Sequence, residues 1–161
     1  MDPSSTAPIT EFAIVVAGFT GLVLALGSQE GRTTPLVKLR TVTMLFYAFT
    51  AAFGSLLPTL WQSFGVETMW HYSSYVLVVL LLANMAATFV SSRVLLTSQE
   101  RAHLAIWMWL LVMVGNTLFV IILVAALTGL FGIAVEGAFI GALIWQLVLS
   151  SILFTRLILQ G

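Results

Sequence analysis

The sequence predicts an all-α, polytopic membrane helix bundle with five transmembrane helices, and three observations carry that prediction. The stretch Leu104–Leu130 holds no charged side chain. At roughly 1.5 Å of rise per residue it is long enough to cross a hydrocarbon core of roughly 30 Å. Of all 161 residues, 60% are apolar and 7% charged, against about 25% charged in soluble domains, and mean hydropathy is +1.10. When the chain is divided into five spans, every basic residue falls on one side of the membrane.

Residues 1–10, with Pro3 and Pro8 among small polar residues, read as a short disordered tail, and 11–161 as a single transmembrane domain. No basic segment precedes the first apolar run and no small-residue cleavage site follows it, so that run is expected to be a retained span. The five spans are placed at about 11–27, 37–61, 72–94, 104–130 and 133–157, separated by Gly, Pro and polar breaks. In span one Ala13, Ala17, Gly21 and Ala25 recur every fourth residue, a ridge of small side chains on which another helix can approach closely. Gly137 and Gly141 form a similar step in span five.

Helical rotation of roughly 100° per residue divides span two. Thr43, Tyr47, Thr50, Ala51, Gly54 and Pro58 share one side, whereas Leu45, Phe46, Phe49, Phe53, Leu56 and Leu60 crowd the side expected to meet lipid. Span three gathers Ser73, Asn84, Thr88 and Ser91 into a narrow arc. Trp70, His71 and Tyr72 precede it as an interfacial cluster of amphipathic rings. The short segment Gly129–Gly132 is expected to turn the chain directly from span four into span five.

The six basic residues are Arg32, Lys38 and Arg40 after span one, Arg93 and Arg101 between spans three and four, and Arg156 at the end of span five. The excess of Lys and Arg in cytoplasmic loops then puts the N-terminus outside and the C-terminus in the cytoplasm. Asp2, Glu11, Glu67 and Glu136 lie towards the opposite face.

Candidate functional residues are the polar groups that hydrocarbon would penalise. Asn84, Asn116 and Gln146 fall near mid-span, so each is expected to face the bundle interior and to find a partner there. Together with Thr43, Tyr47, Thr50, Thr88 and Ser91 they form either interhelical glue, with bonds worth roughly 0.6–2 kcal/mol each, or the polar lining of a path for a small solute or ion. Glu11 and Glu136 sit at the edges of apolar runs near helix N-termini, where the dipole favours a negative charge. The alternative role for either is that of a proton or cation acceptor. Glu67 and His71, four residues apart, are too few to hold a metal, and no metal or cofactor is expected. The chain has no Cys, which excludes disulfides, thiolate metal sites and Cys nucleophiles. No GxSxG, HExxH or phosphate-binding glycine loop is found, and the serines lack an internal base.

The segment Glu11-Phe12-Ala13-Ile14-Val15-Val16-Ala17-Gly18-Phe19-Thr20-Gly21, followed by a basic linker and a long second span, resembles small bacterial integral membrane proteins that carry no assigned activity. The resemblance covers the first quarter of the chain; it implies a bacterial inner, cytoplasmic membrane and no site residues. Three functional readings follow. The first is a small oligomeric channel or transporter, and the second an accessory or scaffolding subunit of a larger membrane complex. A membrane enzyme acting on a lipid is a distant third. The expected partners are the lipid bilayer and either further copies of the chain or a larger membrane complex, with no nucleic acid.

Overall fold

Uninterrupted apolar runs, punctuated by glycine and proline, leave the backbone one economical way to satisfy its own N–H and C=O groups in hydrocarbon, which is the helix. The computed structural model describes residues 6–29, 35–97 and 106–159, and among them every regular element is helical. Five long helices follow one another: α1 (Ala7–Gln29), α2 (Pro35–Ser63), α3 (Met69–Leu95), α4 (Ile106–Leu127) and α5 (Val135–Leu159), with a 3-10 turn at Leu130–Gly132. Of these, α2, α3, α4 and α5 are long and apolar enough to cross a membrane, and the Ala7–Val16 part of α1 is a shorter apolar helix. Arg32, Glu100, Arg101, His103 and the first two residues expected in span four lie outside the described residues.

The first helix starts at Ala7, four residues before the expected boundary. Pro8 falls in its first turn, where a missing N–H breaks no helical bond. Thr6 and Thr10 are fastened to α2: Thr6 Oγ1 donates to the Ser55 carbonyl at 2.7 Å, and Thr10 Oγ1 lies 2.5 Å from Ser55 Oγ. The polar composition that reads as a loose tail supplies the bonds that extend the helix.

The bundle is organised around α2, which packs against α1, α3 and α5, while α4 closes the far side against α3 and α5. Thr50 meets Asn84 and Tyr47 meets Thr88, so α2 and α3 run antiparallel. Met44 meets Ser150 while Gly54 faces Leu143, so α2 and α5 are antiparallel too. The two sides of α2 separate as the rotation predicts except at Leu45, expected to meet lipid and found half-buried. Thr43, Tyr47, Thr50, Ala51, Gly54 and Pro58 are buried, and Phe46, Phe49, Phe53, Leu56 and Leu60 face outward.

Two apolar clusters lie one above the other along the bundle. Leu77, Leu81, Leu123, Ala126, Ala138, Phe139, Ala142 and Leu143 join α3, α4 and α5 near the α2–α3 connection. Met44, Tyr47, Val112, Leu149 and Leu153 join α2, α4 and α5 near the opposite end. The first end carries ring contacts between Trp61 and Tyr72 and between Trp70 and Phe139, with centroids 5.5 and 5.8 Å apart. The second carries Lys38 and Arg40 at the start of α2, Arg93 in the last turn of α3 and Arg156 in that of α5.

The α4–α5 turn runs through left-handed backbone at Gly129 (φ 71°), Phe131 (φ 63°) and Gly132 (φ 63°). A bulky residue in that region is strained, and Phe131 projects almost fully outward. Elsewhere α4 and α5 meet through Gly115, where a Cβ would collide with the Trp145 indole. That indole stacks on Phe119 at 5.7 Å and so has little freedom to retreat. Gly115→Ala is therefore expected to destabilise the bundle by about 1–3 kcal/mol through overpacking. Gly54→Ala crowds only a methyl end of Leu143, with Leu77 at ordinary contact distance, and is expected to cost clearly less. Unfolding in detergent micelles checks the order; equal penalties would count against this account of the contact.

Candidate functional site

Between the two apolar clusters lies a layer of polar side chains contributed by four helices. Gln146 Nε2 on α5 donates to Asn116 Oδ1 on α4 at 2.8 Å. Asn116 Nδ2 donates to the Tyr47 hydroxyl on α2 at 3.5 Å, and that hydroxyl lies 3.4 Å from Thr88 Oγ1 on α3. One helical turn away Asn84 Nδ2 on α3 donates to Thr50 Oγ1 on α2 at 2.7 Å. Asn116, Gln146 and Tyr47 are fully enclosed, and Thr50, Asn84 and Thr88 are buried. The helix that reaches furthest is α2: it packs on α3 and α5, whereas α4 stands across the bundle from it. The length of the Tyr47 side chain crosses that diagonal, which a serine or threonine would not.

The chain of bonds has a direction. Because Asn116 donates to Tyr47, the phenol hydrogen is free to be given to Thr88, and Asn116 and Tyr47 in the middle of the chain each use one donor and one acceptor. At the other end Gln146 Oε1 is buried with no partner among the described residues. Turning both carboxamides over reverses the direction, and then the Gln146 amide nitrogen is the unpaired atom. In either sense the outer atom of Gln146 is left over. The linked side chains carry no charge and only the Tyr47 phenol among them is ionisable, so their chemistry is that of neutral donors and acceptors.

The remaining candidate residues sit apart from this layer. Thr43 is buried beside it on α2, and Ser91 is half-buried. Its neighbour Ser92 is the buried one, with its hydroxyl bonded back to the Phe89 carbonyl at 2.7 Å. Ser73 is fully buried with an unpaired hydroxyl, as is Ser74. Glu11 is exposed in the second turn of α1, and Glu136 is half-buried in the first turn of α5 and is not without a partner. Glu67 and His71 are both exposed at the α2–α3 end.

Among the small residues, Ala13 is fully buried against Ala51, Ala52 and Leu147, so this part of the ridge serves contacts within the chain. Gly141 is half-buried near Phe119, whereas Gly21 and Gly137 are exposed. The side chains of Ala17 and Ala25 lie outside the described residues.

Sequence reasoning missed the hydroxyl cluster of Thr6, Thr10 and Ser55. The signal was present: Thr6, Ile9, Thr10 and Ala13 continue the helical stripe of span one backwards into the supposed tail. Ser150, which donates to the Met44 carbonyl at 3.2 Å, extends the stripe of Gln146 by one turn. Comparison with protein-family models, with curated proteins and with solved structures finds no match in any of the three.

Removing one member of the layer leaves its neighbours unpaired. Asn116→Leu is expected to cost about 1–2 kcal/mol, and Gln146→Leu a similar amount. The double variant should cost less than the sum, because the second change removes a group the first had already orphaned. A double-mutant cycle by unfolding in micelles measures this, and strict additivity would show that the two carboxamides do not work as a pair.

Proposed function

We propose that this chain is an accessory or scaffolding subunit of a larger membrane complex, with five spans, its N-terminus outside and its C-terminus in the cytoplasm. Support for the topology comes from the basic residues: Lys38, Arg40, Arg93 and Arg156 share one end of the bundle, as the positive-inside rule requires of a cytoplasmic face. The resemblance of the first span to small bacterial membrane proteins supports a bacterial cytoplasmic membrane.

One observation carries the functional reading. The polar side chains of α2, α3, α4 and α5 are engaged with each other inside a single chain. A pore formed between several copies would need those side chains turned towards a shared axis, and as lining residues they would have to abandon bonds already made. A rigid bundle with a closed polar layer and an apolar exterior suits a role in which the protein is held by lipid and by neighbouring subunits.

Transport of a small solute or ion is the second reading, favoured by the unpaired Gln146 Oε1. An unused acceptor at mid-depth is where a solute with a hydrogen-bond donor would bind. The two readings separate on two measurements. Native mass spectrometry directly from the membrane is expected to recover one larger partner at fixed stoichiometry, and proteoliposomes are expected to show no saturable flux across a panel of small neutral solutes and monovalent ions. Selective flux that falls on Asn84→Leu or Asn116→Leu while the fold is retained would overturn the subunit reading in favour of transport.

A further inference from the structure

At the α2–α3 end of the bundle, away from the mid-depth layer, α1 and α2 border an open recess of about 240 Å³. Its polar walls are Thr6, Thr10, Glu11, Ser55 and Thr59, and Ala7 and Leu56 supply apolar surface. The hydroxyl hydrogens here are largely committed. Ser55 Oγ has the Ala52 carbonyl as acceptor at 2.7 Å and Thr10 Oγ1 the Thr6 carbonyl at 3.4 Å, and one of the two hydrogens lies in the 2.5 Å contact between the hydroxyls, so both hydrogens are used within the chain. A hydroxyl has one hydrogen and two lone pairs. Thr10 and Ser55 therefore turn acceptors towards the recess. Ser55 is also almost completely buried, so its oxygen is held in place by the fold.

Glu11 adds a carboxylate to this set of acceptors. It is exposed, and no hydrogen bond or ion pair to it is found among the described residues. Placed one turn into α1, it also offsets the positive end of that helix. A carboxylate surrounded by lone pairs calls for a ligand that brings both positive charge and hydrogens. A multivalent metal is poorly served, because among the described residues no three carboxylate or imidazole groups meet. The volume is many times the roughly 30 Å³ that a water molecule occupies in the liquid, so there is room for the carbons attached to a cationic head.

We propose that this recess binds a primary ammonium group, with its charge against Glu11 and its N–H donors directed to Thr10, Ser55 and Thr59, and with the attached carbons against Ala7 and Leu56. The proposal does not depend on the subunit reading. Two sources could present this chemistry, a small free amine or the headgroup of an aminophospholipid. Trp61, Trp70 and Tyr72 mark the same end of the bundle, and such rings settle at headgroup depth.

The test uses the full chain in detergent and in lipid nanodiscs. In detergent, ethanolamine hydrochloride is expected to raise the unfolding temperature above an equal concentration of NaCl. Tetramethylammonium, which has the charge and no N–H, is expected not to. Glu11→Gln should weaken the ethanolamine response at least tenfold in half-saturating concentration. Thr59→Val, a second change at an exposed position, should weaken it severalfold, and serves should the first variant fold poorly. In nanodiscs of mixed phosphatidylethanolamine and phosphatidylcholine, selective retention of phosphatidylethanolamine by native mass spectrometry, lost in Glu11→Gln, would assign the lipid as the source. An ethanolamine response without lipid selectivity would assign a free amine. Equal behaviour of the wild type and both variants in the two settings overturns the proposal, as does a tetramethylammonium response equal to that of ethanolamine.

Discussion

Hydrocarbon offers no hydrogen-bond partner, and the hydrogen bond from Gln146 to Asn116 is where this constraint shapes the bundle most. Two carboxamides near mid-span would each be costly alone. Joined at 2.8 Å, they set the rotation of α4 relative to α5 and the depth at which the two helices match. Gly115, the residue before Asn116, lets the helices close far enough for the bond to form, and Trp145, the residue before Gln146, fills the resulting contact. Tyr47 and Thr88 then carry the register to α2 and α3.

The mid-depth layer also explains how the apolar clusters are divided. Within a membrane, apolar side chains gain little by preferring a neighbouring helix to lipid, so packing alone specifies register weakly. Polar groups that find partners at only one relative depth of the helices specify it more strongly. The two leucine- and alanine-rich clusters can then interdigitate above and below a fixed plane. A fixed plane of this kind is what the proposed subunit role asks of the bundle, and the recess between α1 and α2 lies apart from it.

Much of this was legible in the sequence, for reasons that differ by residue. Asn84, Asn116 and Gln146 stand out because a carboxamide in an apolar run has few physical options, so burial and partnership follow. Which carboxamide meets which partner was not legible, since that depends on the helix order around the bundle, and no periodicity encodes it. Tyr47 could be placed on the inner face of α2, but its reach to Asn116 on α4 depends on how far apart the bundle holds these two helices. Ser91 and Ser92 show the resolution of a rotation argument: one residue is roughly 100°, and the serine enclosed by the bundle is the second of the pair. The start of α1 was hidden because Pro8, Thr6 and Thr10 have the composition of a loop, and their anchoring oxygens sit on Ser55, 45 or more residues away.

The tight turn at Gly129–Gly132 bears on how the protein is made. With so short a connection, α4 and α5 enter the bilayer as one hairpin. The Asn116–Gln146 bond spans 30 residues, fewer than any other side-chain bond between helices described above. The hairpin therefore carries within itself a partner for each of these two carboxamides. The turn that strains Phe131 thus lets Asn116 and Gln146 pair within one contiguous piece of chain, so that neither carboxamide has to wait for a helix from elsewhere in the sequence.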